Sequence, residues 1–237
     1  MKYIPNTITL ANLFCGCLSI VMAFSGKLEQ LILAGGLIFL AAIFDFLDGF
    51  AAKMLKAYSE IGKQLDSLAD VVSFGVAPAM IAYRIILANQ VGMELPAFLP
   101  YVAFIMVLFS ALRLAKYNID TEQTDHFIGL PTPANGMFWA SLPLVISDLH
   151  RKELFNLDAF FFHPIVVAGL CVFFAILLVL PIPTISLKFK TVDFKSNWQR
   201  FVMIWFVLGL YFVIGISALP IGILIYPVFS YFCSKGK

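Results

Sequence analysis

Four aspartates stand where apolar runs make an ionisable side chain expensive: Asp45 and Asp48, then Asp66 and Asp70. At 100° per residue, Asp45, Asp48, Gly49, Ala52 and Lys53 fall within an arc of about 140° on one helix. Asp66, Asp70 and Ser73 stack on one face of the next helix, a turn apart. The basic stretch from Met54 to Leu65 joins the two groups, so consecutive antiparallel helices can bring all four acids together. Four carboxylates in one low-dielectric pocket repel and cannot all stay ionised unaided. Divalent cations resolve that conflict. A donor set of oxygens without His or Cys favours hard ions, Mg²⁺ or Mn²⁺ over zinc. Gly49 and Ala52 let a ligand or a backbone approach closely, and Lys53, Lys56 and Lys63 bring positive charge suited to phosphate. One such acid at a helix end needs only the headgroup layer. Four on facing surfaces, with glycine and lysine beside them, argue for a site.

The elements that must position these residues follow from composition. Of 237 residues, 61% are hydrophobic, 15% aromatic and only 13% charged, and mean hydropathy is +0.94. Soluble domains carry about 25% charged residues, so this chain cannot cover a globule with polar surface. A soluble enzyme, a disordered chain and a fibre are excluded. The net charge of +2 is too small to suggest a nucleic-acid partner. Cys15, Cys17, Cys171 and Cys233 show no CxxC pairing and read as small apolar residues. About 20 apolar residues cross a bilayer, and the chain offers eight such segments, near 7–25, 30–52, 66–88, 98–117, 130–148, 159–182, 198–217 and 219–233. The expected fold is an all-α polytopic membrane bundle of about eight transmembrane helices. Polar connections, near 116–129 and 183–197, are too short for a domain, so the chemistry must come from helices and their ends. With the N-terminus inside, twelve of the sixteen Lys and Arg fall in inner segments and three in outer loops. This bias places both termini in the cytoplasm. Asn6, Thr7, Thr9 and Asn12 interrupt the first apolar run, which reads as an uncleaved helix rather than a signal peptide.

The run D-F-L-D-G-F-A-A-K, followed by Gly62, Asp66 and Asp70, resembles the signature of the CDP-alcohol phosphotransferase family, D-x2-D-G-x2-A-R-x8-G-x3-D-x3-D. Asp45, Asp48, Gly49, Ala52, Gly62, Asp66 and Asp70 match it, and Lys53 stands where the family usually has Arg. Lysine keeps the charge and loses the bidentate fork. Residues 64–79, 111–118 and 127–135 resemble the phosphatidylserine synthase branch, and P-N-T-I-T at 5–9 resembles the family's first helix. The resemblance covers roughly residues 3–180. It implies a six-helix core over 1–182, with a cytoplasmic basic loop and two more transmembrane helices over 183–237. It implies transfer of a phosphatidyl group from CDP-diacylglycerol to L-serine, giving phosphatidylserine and CMP, at the cytoplasmic face of the cell membrane. Asp45, Asp48 and Asp66 would bind two divalent ions, and Asp70 would ligate one and act as general base on the serine hydroxyl. Gly49, Lys53 and Ser59 would contact the CDP portion, with Asn6 and Thr9 near the nucleotide. The resemblance also implies a homodimer.

Other residues carry weaker expectations. Arg113 either pairs with the serine carboxylate or lipid phosphate, or anchors a span. Pro131 and Pro133 shape a turn from which Thr132 and Asn135 could reach substrate, or simply open a helix. Ser73 bonds a ligand or its own helix backbone, and Pro78 is expected to kink or loosen the third span. Arg84 is expected to snorkel. His126, His150 and His163 share no metal-binding spacing, Phe160–Phe162 resemble an interfacial belt, and Lys188, Lys190 and Lys195 suit anionic headgroups. Two other functions compete. One keeps the chemistry with another alcohol, glycerol phosphate or inositol. The other is a cation-binding transporter, which calls for acids near mid-membrane.

Overall fold

The computed structural model describes residues 3–119, 126–185 and 194–235. The chain forms a polytopic bundle of membrane helices. An α1–α2 hairpin, Tyr3–Phe24 and Leu28–Met54, leads into a long composite rod made of α3 (Glu60–Asp70), a π-helical segment (Val71–Val76) and α4 (Ala77–Asn89). A 3₁₀ turn, Leu99–Phe104, opens α5 (Ile105–Ile119). Then come α6 (Thr132–Arg151), the short α7 (Phe155–Phe161), α8 (Pro164–Val179), α9 (Phe194–Ile214) and α10 (Ala218–Lys235). Apolar runs adopt helices here because every backbone N–H and C=O must be satisfied within the segment when no water is available.

Two departures from an all-helical chain are small. His126–Ile128 (β1) pairs antiparallel with Pro183–Ile185 (β2), tying the start of α6 to the end of α8. The expected single span over 159–182 is broken instead into α7 and α8, bent by 49°. Pro164 stands at the break, and the His163 ring caps α8 by accepting from the Ile165 N–H at 3.4 Å.

Among the described residues, five stretches are long and apolar enough to cross a membrane, six if α7 and α8 count as one bent span. Each of the eight expected segments is helical, though the one over 159–182 is divided between α7 and α8. The stretch Phe201–Cys233 folds back on itself, so that Gly222 of α10 packs against Val207 of α9. Helix α6 lacks the apolarity of a lipid-facing span because it is the most enclosed rod. Thr132, Asn135, Ser141 and Asp148 are buried along it together with Phe138 and Trp139.

The composite rod occupies the centre, and small residues let its neighbours close on it. A methyl group on Gly16 of α1 would lie 2.8 Å from the Ser73 Cα, and one on Gly136 of α6 would lie 3.2 Å from the Phe74 Cα. The π-helical turn has a local cause. Pro78 has no N–H to offer the Phe74 carbonyl one turn back, and that carbonyl accepts instead from Asn135 Nδ2 at 3.3 Å. Trp139 Nε1 in turn donates to Asn135 Oδ1 at 3.2 Å. Pro78 thus loosens the rod as expected, and Asn135, buried here, repairs the backbone rather than reaching substrate.

Further side chains meet or depart from expectation. Ser73 donates to the Asn12 carbonyl at 3.0 Å, so it stitches the rod to α1 and not to itself. Arg84, half-buried, carries its guanidinium to the α1–α2 turn at its own end of the bundle, in keeping with the expected snorkelling. A methyl group on Gly26, whose φ is +68°, would fall on its guanidinium. Cys15 and Cys171 are buried, but Cys17 faces outward. His126 lies in β1, and His150 contacts Asp158 at 3.1 Å near the end of α6. Lys188 and Lys190 fall outside the described residues.

Candidate active site

At one end of the bundle the last turns of α2 meet the first turns of α3. Carboxylate oxygens of Asp45, Asp48 and Asp66 lie within 4.8 Å of one another, with Asp48 buried and the other two half-buried. The pattern predicts this convergence, and the fold produces it. The donor set is three oxygens from three side chains, without nitrogen or sulfur, and it fits a hard divalent cation better than zinc. The Thr9 hydroxyl donates to Asp48 Oδ2 at 2.6 Å, as well as lying 3.0 Å from the Pro5 carbonyl. Thr9 is therefore attached to the acid cluster itself and fixes one oxygen of the Asp48 carboxylate.

Asp70 follows one turn beyond Asp66 and is 7% exposed. It is not one of the three mutually close carboxylates. Its charge is felt by Arg113 of α5, which also lies near Tyr117 and Tyr226. Arg113 Nη1 donates to Thr132 Oγ1 at 2.9 Å, so the first turn of α6 holds the guanidinium on the Asp70 side of the site. That contact gives the second half of the site a shape that linear spacing could not reveal, because Arg113 and Thr132 meet across two helices. Thr132 itself is fully buried.

The rim is built by α3. Ser59 caps that helix, accepting from the Gly62 N–H at 3.1 Å. A methyl group on Gly62 would sit 3.0 Å from Ser59 Oγ and 3.1 Å from Asn6 Oδ1. Asn6, Ser59 and Gly62 therefore form one small polar notch beside the acids. Gly49 and Lys53 lie on exposed surface of α2. Lys63 donates to the Asn118 carbonyl at 2.9 Å, and Asn118 Nδ2 donates to Ser67 Oγ at 2.8 Å. These bonds fasten α3 to the end of α5 and turn Lys63 toward α5. The Asp148, Arg151 and Lys152 cluster, with Nζ of Lys152 at 2.6 Å from Asp148, lies at the opposite end of α6.

Comparison with known proteins agrees with this geometry. Residues 2–177 match the model of the family described as CDP-alcohol phosphatidyltransferase. A CDP-diacylglycerol–serine O-phosphatidyltransferase of Helicobacter pylori is 34% identical over 231 residues, covering 95% of this chain and 88% of the relative. One of the same name from Bacillus subtilis is 39% identical over 141 residues, 58% of this chain and 73% of the relative. An archaetidylserine synthase of Methanothermobacter thermautotrophicus is 34% identical over 132 residues, 55% of this chain and 53% of the relative. The family match spans the α1–α3 acid site and both helices that carry Arg113 and Thr132, and on that extent the chain belongs to the CDP-alcohol phosphatidyltransferase family.

Proposed function

We propose that this protein transfers a phosphatidyl group from CDP-diacylglycerol to L-serine, releasing CMP. The observation that carries the proposal is the convergence of Asp45, Asp48 and Asp66 at one end of the bundle, with Asp70 and Arg113 beside them. The relatives supply the acceptor. Two are named for serine transfer onto a diacylglycerol lipid and one for an archaetidylserine product, so the serine element is common while the lipid differs.

Asp45, Asp48 and Asp66 would hold Mg²⁺ or Mn²⁺, and Asp70 would complete the shell. When bound, a pair of divalent ions neutralises the diphosphate and stabilises the entering and departing oxygens. The chain's own residues do the rest. Asp70 accepts the proton of the serine hydroxyl, which is a poor nucleophile unassisted. Arg113, held by Thr132, pairs with the serine carboxylate and orients the hydroxyl toward phosphorus. Asn6, Ser59, Gly49 and Lys53 receive the CDP portion. Lys53 does so as a point charge.

The same reading places the site at the cytoplasmic face of the cell membrane, with both termini inside. Acyl chains must stay in lipid while CDP and serine arrive from water, and the lysine bias favours that end. Residues 1–182 form the catalytic core, and 183–237 add a basic loop and two helices. The working unit is a homodimer, as the family resemblance implies.

A transporter reading places acids near mid-membrane, whereas these acids lie at helix ends. The deciding experiment offers purified protein CDP-diacylglycerol with labelled L-serine, glycerol phosphate or inositol. We expect divalent-metal-dependent CMP release and label in lipid with serine alone. No serine incorporation overturns the proposal.

A further inference from the structure

Asn12 of α1 is 0% exposed, and neither its Oδ1 nor its Nδ2 has a hydrogen-bond partner among the described residues. Only its backbone is used, as acceptor for Ser73. An amide carries donors and an acceptor that cost free energy when buried unpaired. Such a group in a well-packed bundle calls for a ligand.

Its position names that ligand. Thr9 of α1 bonds Asp48 of α2, and ten residues later Ser19 donates to the Ala34 carbonyl at 2.9 Å. Interpolating between these two antiparallel contacts sets Asn12 level with about residue 44, next to Asp45. On the other flank, Asn6 lies against Gly62 and Gly16 against Ser73. Interpolation along those two parallel rods sets Asn12 level with residues 68–70, between the heights of Asp66 and Asp70. Asn12 is also about 4.5 Å deeper along α1 than Thr9, on the same buried face. The unpaired amide therefore stands at the level of the carboxylates, on the α1 side of the site.

We propose that Asn12 contacts substrate, its Nδ2 donating to a non-bridging oxygen of the diphosphate that the aspartates and their cations hold. This assignment rests on the enzymatic reading above and adds a residue to it. A neutral donor suits the place. A lysine or arginine there would neutralise the carboxylates and displace the cations, whereas an amide can bond a phosphate oxygen without competing for them. The burial of an unpaired amide in the ligand-free protein is then stability given up for binding.

The test uses the full chain in detergent, with Mn²⁺ alone and with Mn²⁺ plus CDP, read by titration and by thermal unfolding. Asn12→Leu keeps the volume and removes the unpaired amide. We expect its ligand-free melting temperature to equal or exceed wild type, with Mn²⁺-supported CDP affinity reduced at least tenfold. Asn12→Asp keeps the shape but replaces the donor by a fifth carboxylate, so it should bind Mn²⁺ alone more tightly and CDP at least tenfold more weakly. Opposite movement of the two affinities is a signature that a structural amide does not give. CDP affinities within twofold of wild type in both variants overturn the assignment, as does a lowered ligand-free melting temperature for Asn12→Leu with CDP binding kept. If wild type itself shows no Mn²⁺-dependent CDP binding, the enzymatic reading fails first and the ligand named here fails with it.

Discussion

At the scale of single residues, the four acids differ in depth and in neighbour. Asp48 receives a hydroxyl hydrogen bond from Thr9, and the charge of Asp70 acts on Arg113. In the proposed reaction Asp48 would help to hold a cation and Asp70 would move a proton. We expect Asp70→Asn to lower turnover by about 10²- to 10⁴-fold, the usual worth of a positioned base, while Mn²⁺-dependent CDP binding stays within a few fold. Normal turnover by that variant would reassign the base. Thr9→Val removes a bond that orients a cation-holding carboxylate and leaves the carboxylate in place. Its cost should appear in metal affinity, about 10- to 100-fold weaker, with maximal rate recovered at saturating Mn²⁺. A rate loss that excess metal cannot recover would show that Thr9 serves the nucleotide instead. The four acids were legible because their types and spacing carry the information. The roles of Thr132 and Asn135 were not. Both sit at the start of α6 in the same short motif, yet one holds Arg113 and the other repairs a carbonyl exposed by a proline on a different rod.

At the scale of elements, the site depends on how closely α1 and α6 approach the π-helical turn that follows Asp70. Helical periodicity locates the rods, but it does not encode a local change from α to π pitch. That change came from Pro78, together with a partner for the Phe74 carbonyl 61 positions away in sequence. Close approach gives a test with opposite signs. A methyl group on Gly16 would lie 2.4 Å from Ser73 Oγ and 2.8 Å from its Cα, the latter a backbone atom that cannot rotate away. Gly16→Ala should therefore cost about 1–3 kcal/mol by overpacking and reduce turnover by displacing the segment that carries Asp70. A methyl group on Gly169 of α8 meets nothing within 4 Å. Gly169→Ala should instead stabilise by about 0.5–1 kcal/mol, the helix preference of alanine over glycine. Thermal unfolding of both variants in one detergent checks the pair. Equal shifts would mean that the α1 contact does not control the rod.

At the scale of the whole molecule, the two ends of the bundle differ in charge and in purpose. The segments that meet at the acid end also carry Lys53, Lys56, Lys63, Arg113 and Lys116. At the other, Arg151 and Lys152 are both bonded to Asp148, and the α9–α10 turn at Gly215 lies beside that cluster. Counting lysines and arginines assigns an expected inner end without any knowledge of contacts, because the translocation bias acts on composition. Counting apolar residues was less complete. Polar α6 is tolerated only because neighbouring helices enclose it, and the fold-back of α10 on α9 is a tertiary fact. The proposed sidedness has a direct consequence for substrate supply, since serine and CDP would have to reach the acid end from water. Replacing the four native cysteines by alanine gives a background for one reporter at each end. Tyr58, 69% exposed, sits between α2 and α3 beside the acids, and Val91, 81% exposed, follows α4 at the opposite end. In intact cells a membrane-impermeant maleimide should label Val91→Cys and spare Tyr58→Cys, with the pattern reversed in inverted vesicles. The converse pattern would place the acids on the outer face, away from cytoplasmic nucleotide, and that orientation is incompatible with the proposed reaction whatever the geometry of the carboxylates.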